Sequence, residues 1–557
     1  MKRHARDNYF VVGEGILGDH EKDGPARQRP STLAELRKFR FSRLGPKGRG
    51  INEALRKALA EAMTGPGNQP DSAGPTIPAG FTYLGQFVDH DLTFDKTALA
   101  LGEHVTVEEL IQGRSPALDL DCLYGRGPTD AIDAKFYSDG IRLKTGTTAA
   151  TPFPDDIANH DLDGFDLPRV GFGSKKSERR AALIPDFRND ENLAVGQTHL
   201  AFIRFHNRVV DQLTTEGVPS VILFTIARQL VVKHYQWMIR HDFLPRIVDQ
   251  ATLDDVFTNG RKFFEVTPPA HNPQTLQSFM FVQPGDMPTM PLEFSVAAYR
   301  LGHSMIRAAY QWNRVFRRGG PGPVASLAFL FTFSGTSGTL SPDGNLNDPE
   351  SGSFERLPTN WVADFRRLYD FAEAGRDDLV VAQEEFNITK RIDTLLVDPL
   401  KQLPLRSFGG NAGTPAHEFN LAFRNLTRAE MVDLASGQQM AEMMEITPLT
   451  ATEILEGNSG AVLSGLTQDE QDDLTSRAPL WYYILREAEL NNGRLTGVGA
   501  RIVAEVFHRA MEGSQISILR DPSWRPLFGP DRNTFRMVDL LLYTAQGRAE
   551  LLNPLGS

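Results

Sequence analysis

A single cysteine, Cys122, stands in 557 residues. That excludes an internal disulfide framework and any cysteine-based zinc or iron–sulfur cage. Basic charge is also short, with 59 Lys and Arg against 70 Asp and Glu and a net charge of −11. Nucleic acid and anionic membrane surfaces are bound by basic patches, so neither is an expected partner. No apolar run reaches the length that spans a bilayer, and no membrane insertion is expected. The opening MKRHARDNYFVVGEGILGDHEKDG lacks the apolar core of a secretory signal. A soluble protein is expected, cytoplasmic or exported by a route without an N-terminal signal. Strand-like alternation is scarce, and neither internal repeats nor a long low-complexity linker is visible.

What remains is a helix-rich pattern with an ordinary apolar content of 41%. Residues 1–75 are rich in Gly, Pro and charge, with short helical stretches at 33–44 and 51–63, and read as a partly irregular arm wrapping the body. Residues 97–190 look loop-rich, and 265–292 carry six prolines. Helical periodicity covers 191–216, stopping at Gly217, and 220–243, stopping before Pro245. Further helices are expected at 293–316, 360–374, 391–400, 428–444, 479–490, 498–511 and 534–548. The expected architecture is mainly α with very little β, a large helical domain over residues 76–552 and a tail at 553–557.

The densest chemistry lies in Phe81–Asp95, FTYLGQFVDHDLTFD. As a helix it aligns Phe81, Leu84, Val88 and Leu92 on one stripe. Gln86, Asp89 and His90, at i, i+3 and i+4, share another face, while Asp91 points about 100° further round. A second cluster runs from Pro185 to Glu191, where Arg188 and Glu191 can share a face. By itself it reads as acids complementing a helix N-terminus, with Arg188 a surface partner. In a third, Tyr299–Ser304, His303 follows Gly302 in an apolar helix. It is a satisfied core histidine or a metal ligand whose neighbouring glycine admits a flat group. A fourth, Arg114–Asp121, alternates oxygen-bearing positions that suit a hard cation or a solvated loop. His199 with His206 and His234 with His241 are each seven apart, but lack an HExxH pattern and a third ligand; packing is the better reading than a zinc hydrolase.

Taken together, the segments GQFVDHDL, LDLDCLYG, RNDENLAVGQTHLAFIRFHNRVV, YRLGHS, LPTNWVADFRRLYDF, LAFRNLTR, PLWYYILREAE and GARIVAEV resemble the animal-type haem peroxidases of the peroxidase–cyclooxygenase superfamily, particularly the bacterial members. The resemblance runs from about Thr76 to Leu552. It implies haem b buried between distal and proximal helices, and a peroxidase that reduces hydrogen peroxide via a ferryl intermediate while oxidising small organic or halide donors. It assigns His90 as distal base, Gln86 as its neighbour over the haem, Arg188 as distal arginine and His303 as iron ligand. Asn425 is implied to accept the His303 N–H, and Arg300 to meet a haem propionate. Asp89 and Glu191 match acids that form ester bonds to haem. Asp91, Ser115, Ala117 through its carbonyl, Asp119 and Asp121 fall on a calcium site. In that scheme His90 takes the proton from one peroxide oxygen and delivers it to the other, an imidazole pKa near 6.5 suiting the task.

Three positions depart from the pattern. Asp121 stands where mammalian members have a hydroxyl residue, and Asn192 where some have a methionine linked to haem. Pro185 replaces a usual glycine. A fatty-acid dioxygenase of the same superfamily is the first alternative. It needs a radical tyrosine three residues before the proximal histidine, whereas Tyr299 stands four before His303. A non-catalytic binding or adhesion protein on the same fold is the second, opposed by the presence of His90, Arg188 and His303.

Overall fold

The computed structural model describes residues 39–65, 77–97, 99–154, 156–266, 284–332, 355–403, 413–463 and 465–557, with the backbone of a short hairpin, Tyr9–Val11 against Gly15–Leu17. Its framework is an antiparallel pair of long helices, Leu193–Thr215 and Ser220–Met238. Asn192 starts the first by accepting from the Val195 N–H, and Gly217, at φ +82°, turns the chain after it. The Gly80–Leu92 helix lies against this pair. Its stripe of Phe81, Leu84, Val88 and Leu92 is buried, and Phe87 stacks on Phe202 at 4.6 Å and meets Tyr235 edge-on. A buried Leu480–Leu490 helix and the Gly497–Gly513 helix support the opposite side. Strands are short, such as Phe41–Ser42 beside Met290–Pro291 and Ala309–Tyr310 beside Ala325–Ser326. The mainly α class is as expected.

Several expected boundaries are corrected by local chemistry. The helix from Ser220 does not stop before Pro245. It widens into a π turn at Ile239–Phe243 and continues as Leu244–Ile247. Proline there occupies a first turn, where its missing N–H costs nothing. The expected helix at 293–316 is instead three short turns, Glu293–Ala297, Ala298–Leu301 and Gly302–Met305, and then extended chain. Ala297, at φ −129° and ψ −73°, interrupts the first ladder, and the Arg307 guanidinium donates to the Ile388 and Thr389 carbonyls across the fold. Over 360–374 only 3₁₀ turns form, because Asp364 and Asp370 accept from the Arg366 and Ala372 N–H groups. Over 391–400 the only helical turn is Asp398–Leu400. The pattern at 428–444 is two helices, Leu421–Met431 and Gly437–Met443, separated by Asp433 at φ +48° and a new start capped by Ser436.

Residues 33–38 of the expected first helix lie outside the described residues, and 39–44 are extended. Glu293 ties this segment to the body by accepting from the Leu44 and Gly45 N–H groups at 2.8 and 3.0 Å. The Glu53–Met63 helix packs on Leu421–Met431. Among the described residues, no helix is long and apolar enough to cross a membrane.

Candidate active site

Between the Gly80–Leu92 helix and the short turns at 293–305 lies a cavity of about 1970 Å³, counting its open mouth. Gln86, Asp89, His90, Arg188 and Glu191 line one side; Arg300, Gly302 and His303 line the other. A Cβ placed on Gly302 would meet nothing within 4 Å, so the chain leaves open space beside His303. Among the described residues, Thr82 Oγ1 and Ser295 Oγ are buried in the same lining without a partner.

His90 is 5% exposed. Burial, then the Arg188 charge, push its pKa down to about 3. It is therefore a neutral imidazole over the whole physiological range, a weaker base than the ordinary value suggests. Its Nδ1 lies 2.8 Å from Asn189 Oδ1, and its Nε2 lies 3.8 Å from Glu191 Oε1. Arg188 donates from Nη2 to the His90 carbonyl at 3.1 Å, and its guanidinium lies 4.1 Å from the centre of the Phe94 ring. Asp186 holds the arginine, accepting from Arg188 N, Nε and Nη2 at 3.0, 3.1 and 2.7 Å. Arg114 donates to the same carboxylate from the other side. Those two arginines hold the Asp186 carboxyl well below the usual range.

Gln86 donates to Glu191, and Asn192 Nδ2 donates to Gln86 Oε1 at 2.9 Å. Burial raises Glu191 to about 7, against the pull of Arg188. Asp89 is also raised by burial, with Arg188 and Arg300 opposing, and accepts from Thr93 Oγ1 at 3.1 Å. Both acids thus face the cavity with raised pKa values.

Across the cavity, Asn425 Nδ2 lies 2.9 Å from His303 Nδ1, and Arg300 Nη1 donates to Asn425 Oδ1 at 2.8 Å. A guanidinium only donates, so it claims the amide oxygen and turns the amide nitrogen to His303. The expected arrangement, with Asn425 accepting the histidine N–H, is reversed here. Burial and then Arg300 push His303 down to about 3. Trp481 packs edge-on to His303 with ring centres 6.5 Å apart, and its Nε1 donates to the Arg300 carbonyl. Tyr299 donates to the Gly85 carbonyl at 3.2 Å, joining the two walls.

Asp91 points away from the cavity into the 114–121 loop. It accepts from Leu120 N at 3.2 Å and Cys122 N at 3.5 Å, and burial with Asp121 and Asp119 nearby raises it to about 8. Asp119 accepts from Ser514 Oγ, Gln515 N and Ser115 Oγ, and the Ala117 carbonyl accepts from Asp119 N. The oxygens are gathered but spent on hydrogen bonds. Among the described residues, no group of three or more His, Cys, Asp or Glu is arranged to hold a metal ion.

Asp186, Arg114, Asn189 and His199 were not singled out for the site from sequence. The spacing Asp186-x-Arg188 is the one local signal; the other three come together only in space.

The chain's likeness to known proteins runs through this region. Residues 86–326 match the animal haem peroxidase family. A peroxidasin homolog of Caenorhabditis elegans is 24% identical over 221 residues, covering 39% of this chain and 15% of that protein. A peroxidase-like protein of Margaritifera margaritifera is 29% identical over 168 residues, covering 29% of this chain and 18% of that protein. The chain therefore matches under a fifth of the length of either. Peroxidase A from Dictyostelium discoideum has a similar fold, with a TM-score of 0.55 and 14% identity over 93% of this chain and 94% of that one. So does a fatty acid α-dioxygenase from Oryza sativa, with a TM-score of 0.52 and 11% identity over 93% and 82%. Residues 86–326 thus carry the sequence likeness to the animal haem peroxidases, and the fold over nearly the whole chain is similar to that of a peroxidase.

Proposed function

We propose that the protein is a haem-dependent peroxidase that reduces hydrogen peroxide and oxidises small organic or halide donors. The observation that carries this is a neutral imidazole and a clamped arginine, His90 and Arg188, in one wall of a cavity whose opposite wall holds His303. The open space at Gly302 and the unpartnered lining oxygens fit a planar group with polar edges. His303 would bind iron through Nε2, and Arg300 would meet a propionate. Nε2 ligation needs a proton on Nδ1, so Asn425 would have to present its amide oxygen to His303, with Arg300 released to another acceptor. Asp89 and Glu191 are the candidates for ester bonds to haem methyl groups. Bound there, haem supplies the redox centre that takes up the oxidising equivalents of peroxide.

The protein's own part is proton transfer and charge. His90 Nε2 accepts the proton of one peroxide oxygen and returns it to the other, which leaves as water. Arg188, held by Asp186, offers a fixed cationic donor to charge on the leaving oxygen. Burial leaves the ring a weak base, which favours return of the proton to the leaving oxygen and opposes its uptake. For the 114–121 loop we propose calcium as a support of the distal helix. Its oxygen donors suit a hard cation and crowd one another without one, although the hydrogen bonds on Asp91 and Asp119 must yield.

A fatty-acid dioxygenase is the second reading, favoured by the α-dioxygenase fold likeness and by the apolar cavity wall that includes Tyr299. Purified protein supplied with haem should show a haem absorption band that changes on adding peroxide, with donor-dependent return. Oxygen uptake with fatty acid and no peroxide would overturn the peroxidase reading in favour of the second. Absence of any haem band would overturn both and favour a binding role.

A further inference from the structure

His199 reads from sequence as a packing residue, yet its ring ends a buried chain that begins at His90. Asn189 Oδ1 lies 2.8 Å from His90 Nδ1, and Asn189 Nδ2 lies 2.9 Å from His199 Nδ1. Asn189 and His199 are 0% exposed, so no bulk water offers these atoms another partner. One amide therefore decides where both imidazoles carry their protons. Its oxygen only accepts and its nitrogen only donates. In this orientation His90 carries its proton on Nδ1 and His199 on Nε2. With the amide turned over, both rings would reverse.

The far end of the chain has no competing partner. His199 Nε2 is buried without a partner, so among the described residues Asn189 is the polar contact that orients this ring. The three groups come from separate elements: the Gly80–Leu92 helix, the Phe187–Asp190 turn and the Leu193–Thr215 helix. Asn192, which caps the last of these, fixes the step from turn to helix.

We propose that Asn189 and His199 are positioning residues for His90: Asn189 holds the imidazole as its Nδ1–H tautomer with the Nε2 lone pair free, and His199 holds the amide in the orientation that does so. The inference rests on reading His90 as the proton acceptor in peroxide activation. A ring presenting N–H at Nε2 cannot take that proton. In the Nδ1–H tautomer, Nε2 gains the peroxide proton, the ring becomes imidazolium while Nδ1–H stays on Asn189, and the same proton leaves for the departing oxygen.

Histidine-selective ¹⁵N spectra of the full-length protein read the tautomers directly, with His90→Gln and His199→Gln used for assignment. Where haem is bound, spectra are taken in the diamagnetic ferrous–carbonyl state. His90 should be Nδ1–H in the unmodified protein. His199→Leu should give a mixture of His90 tautomers and slow the peroxide reaction by about 10–100-fold, the range for outer partners of ligating imidazoles. His199→Gln, whose carbonyl can accept from Asn189, should restore both. In Asn189→Asp the carboxylate can only accept, so His199 should switch to its Nδ1–H form while His90 keeps its own. An Nε2–H form of His90 in the unmodified protein, a pure Nδ1–H form in His199→Leu, or no switch of His199 in Asn189→Asp overturns the proposal. A haem-loaded protein inert to peroxide refutes the peroxidase reading instead, and the spectra still decide the tautomer.

Discussion

Replacing Asp186 with asparagine should damage both the stability and the peroxide reaction of this protein, and the structure says by how much. Arg114 and Asp186 have fully buried side chains, and that of Arg188 is 16% exposed. One carboxylate thus balances two guanidiniums and accepts from Arg188 N, Nε and Nη2 and from Arg114 Nη2. In Asp186→Asn, the amide nitrogen must face at least one arginine nitrogen, donor against donor. Breaking a buried ion pair by removing one partner costs about 3–5 kcal/mol. At about 2.1 cal/mol/K per residue, a chain of 557 residues unfolds with about 1.2 kcal/mol/K, so Tm should fall by about 2.5–4 °C. Freed from its clamp, Arg188 should lose much of its hold on the leaving oxygen, about 10²–10³ in peroxide reaction rate. Calorimetry and stopped-flow mixing with peroxide measure the two. Adding Arg114→Met removes one stranded cation and should recover part of the Tm but little of the rate. An Asp186→Asn protein within 1 °C of the parent and within about twofold in rate would refute the clamp, because the expected losses lie well outside both margins.

His90→Ala should leave haem content unchanged and slow the peroxide reaction by about two to four powers of ten, checked by the rate of haem spectral change against peroxide concentration. Acid–organic extraction after peroxide cycling should retain haem on the protein, whereas the Asp89→Ala, Glu191→Ala double variant should release it; free haem from the parent would refute the ester links. Asp91 has a pKa raised to about 8, so the folded state keeps a proton that the unfolded chain surrenders near its ordinary value of 3.8. Its contribution to stability is therefore present at low pH and lost as pH rises through that interval, and Asp91→Asn should flatten the fall in Tm. Calcium needs the ionised carboxylate, so it should raise Tm more at pH 8 than at pH 5, and an equal shift at both would refute cation binding at Asp91.

Periodicity alone carried the long helices, because a helix buried on one stripe repeats its apolar residues at a fixed spacing. Leu193–Thr215, Gly80–Leu92 and Gly497–Gly513 lie within two or three residues of their expected bounds. The same logic failed around His303. There the pattern of burial is helical, but the Arg307 bonds to carbonyls some 80 residues away open the chain after Met305. Pro245 misled in the other direction, since a π turn moves it to a position where its missing N–H is harmless.

The division at the site has one physical cause. The sequence by itself determined which side chains share the cavity face of the Gly80–Leu92 helix and which one, Asp91, looks away, because helical geometry relates neighbours within one element. Only the tertiary structure decided what each of them meets. Asp186 between two arginines, Arg300 on the oxygen of Asn425, and Asn189 between His90 and His199 are contacts between separate elements. Burial then sets the pKa of His90 at about 3 and of Glu191 at about 7, because removing water penalises charge by an amount that depends on everything packed around it.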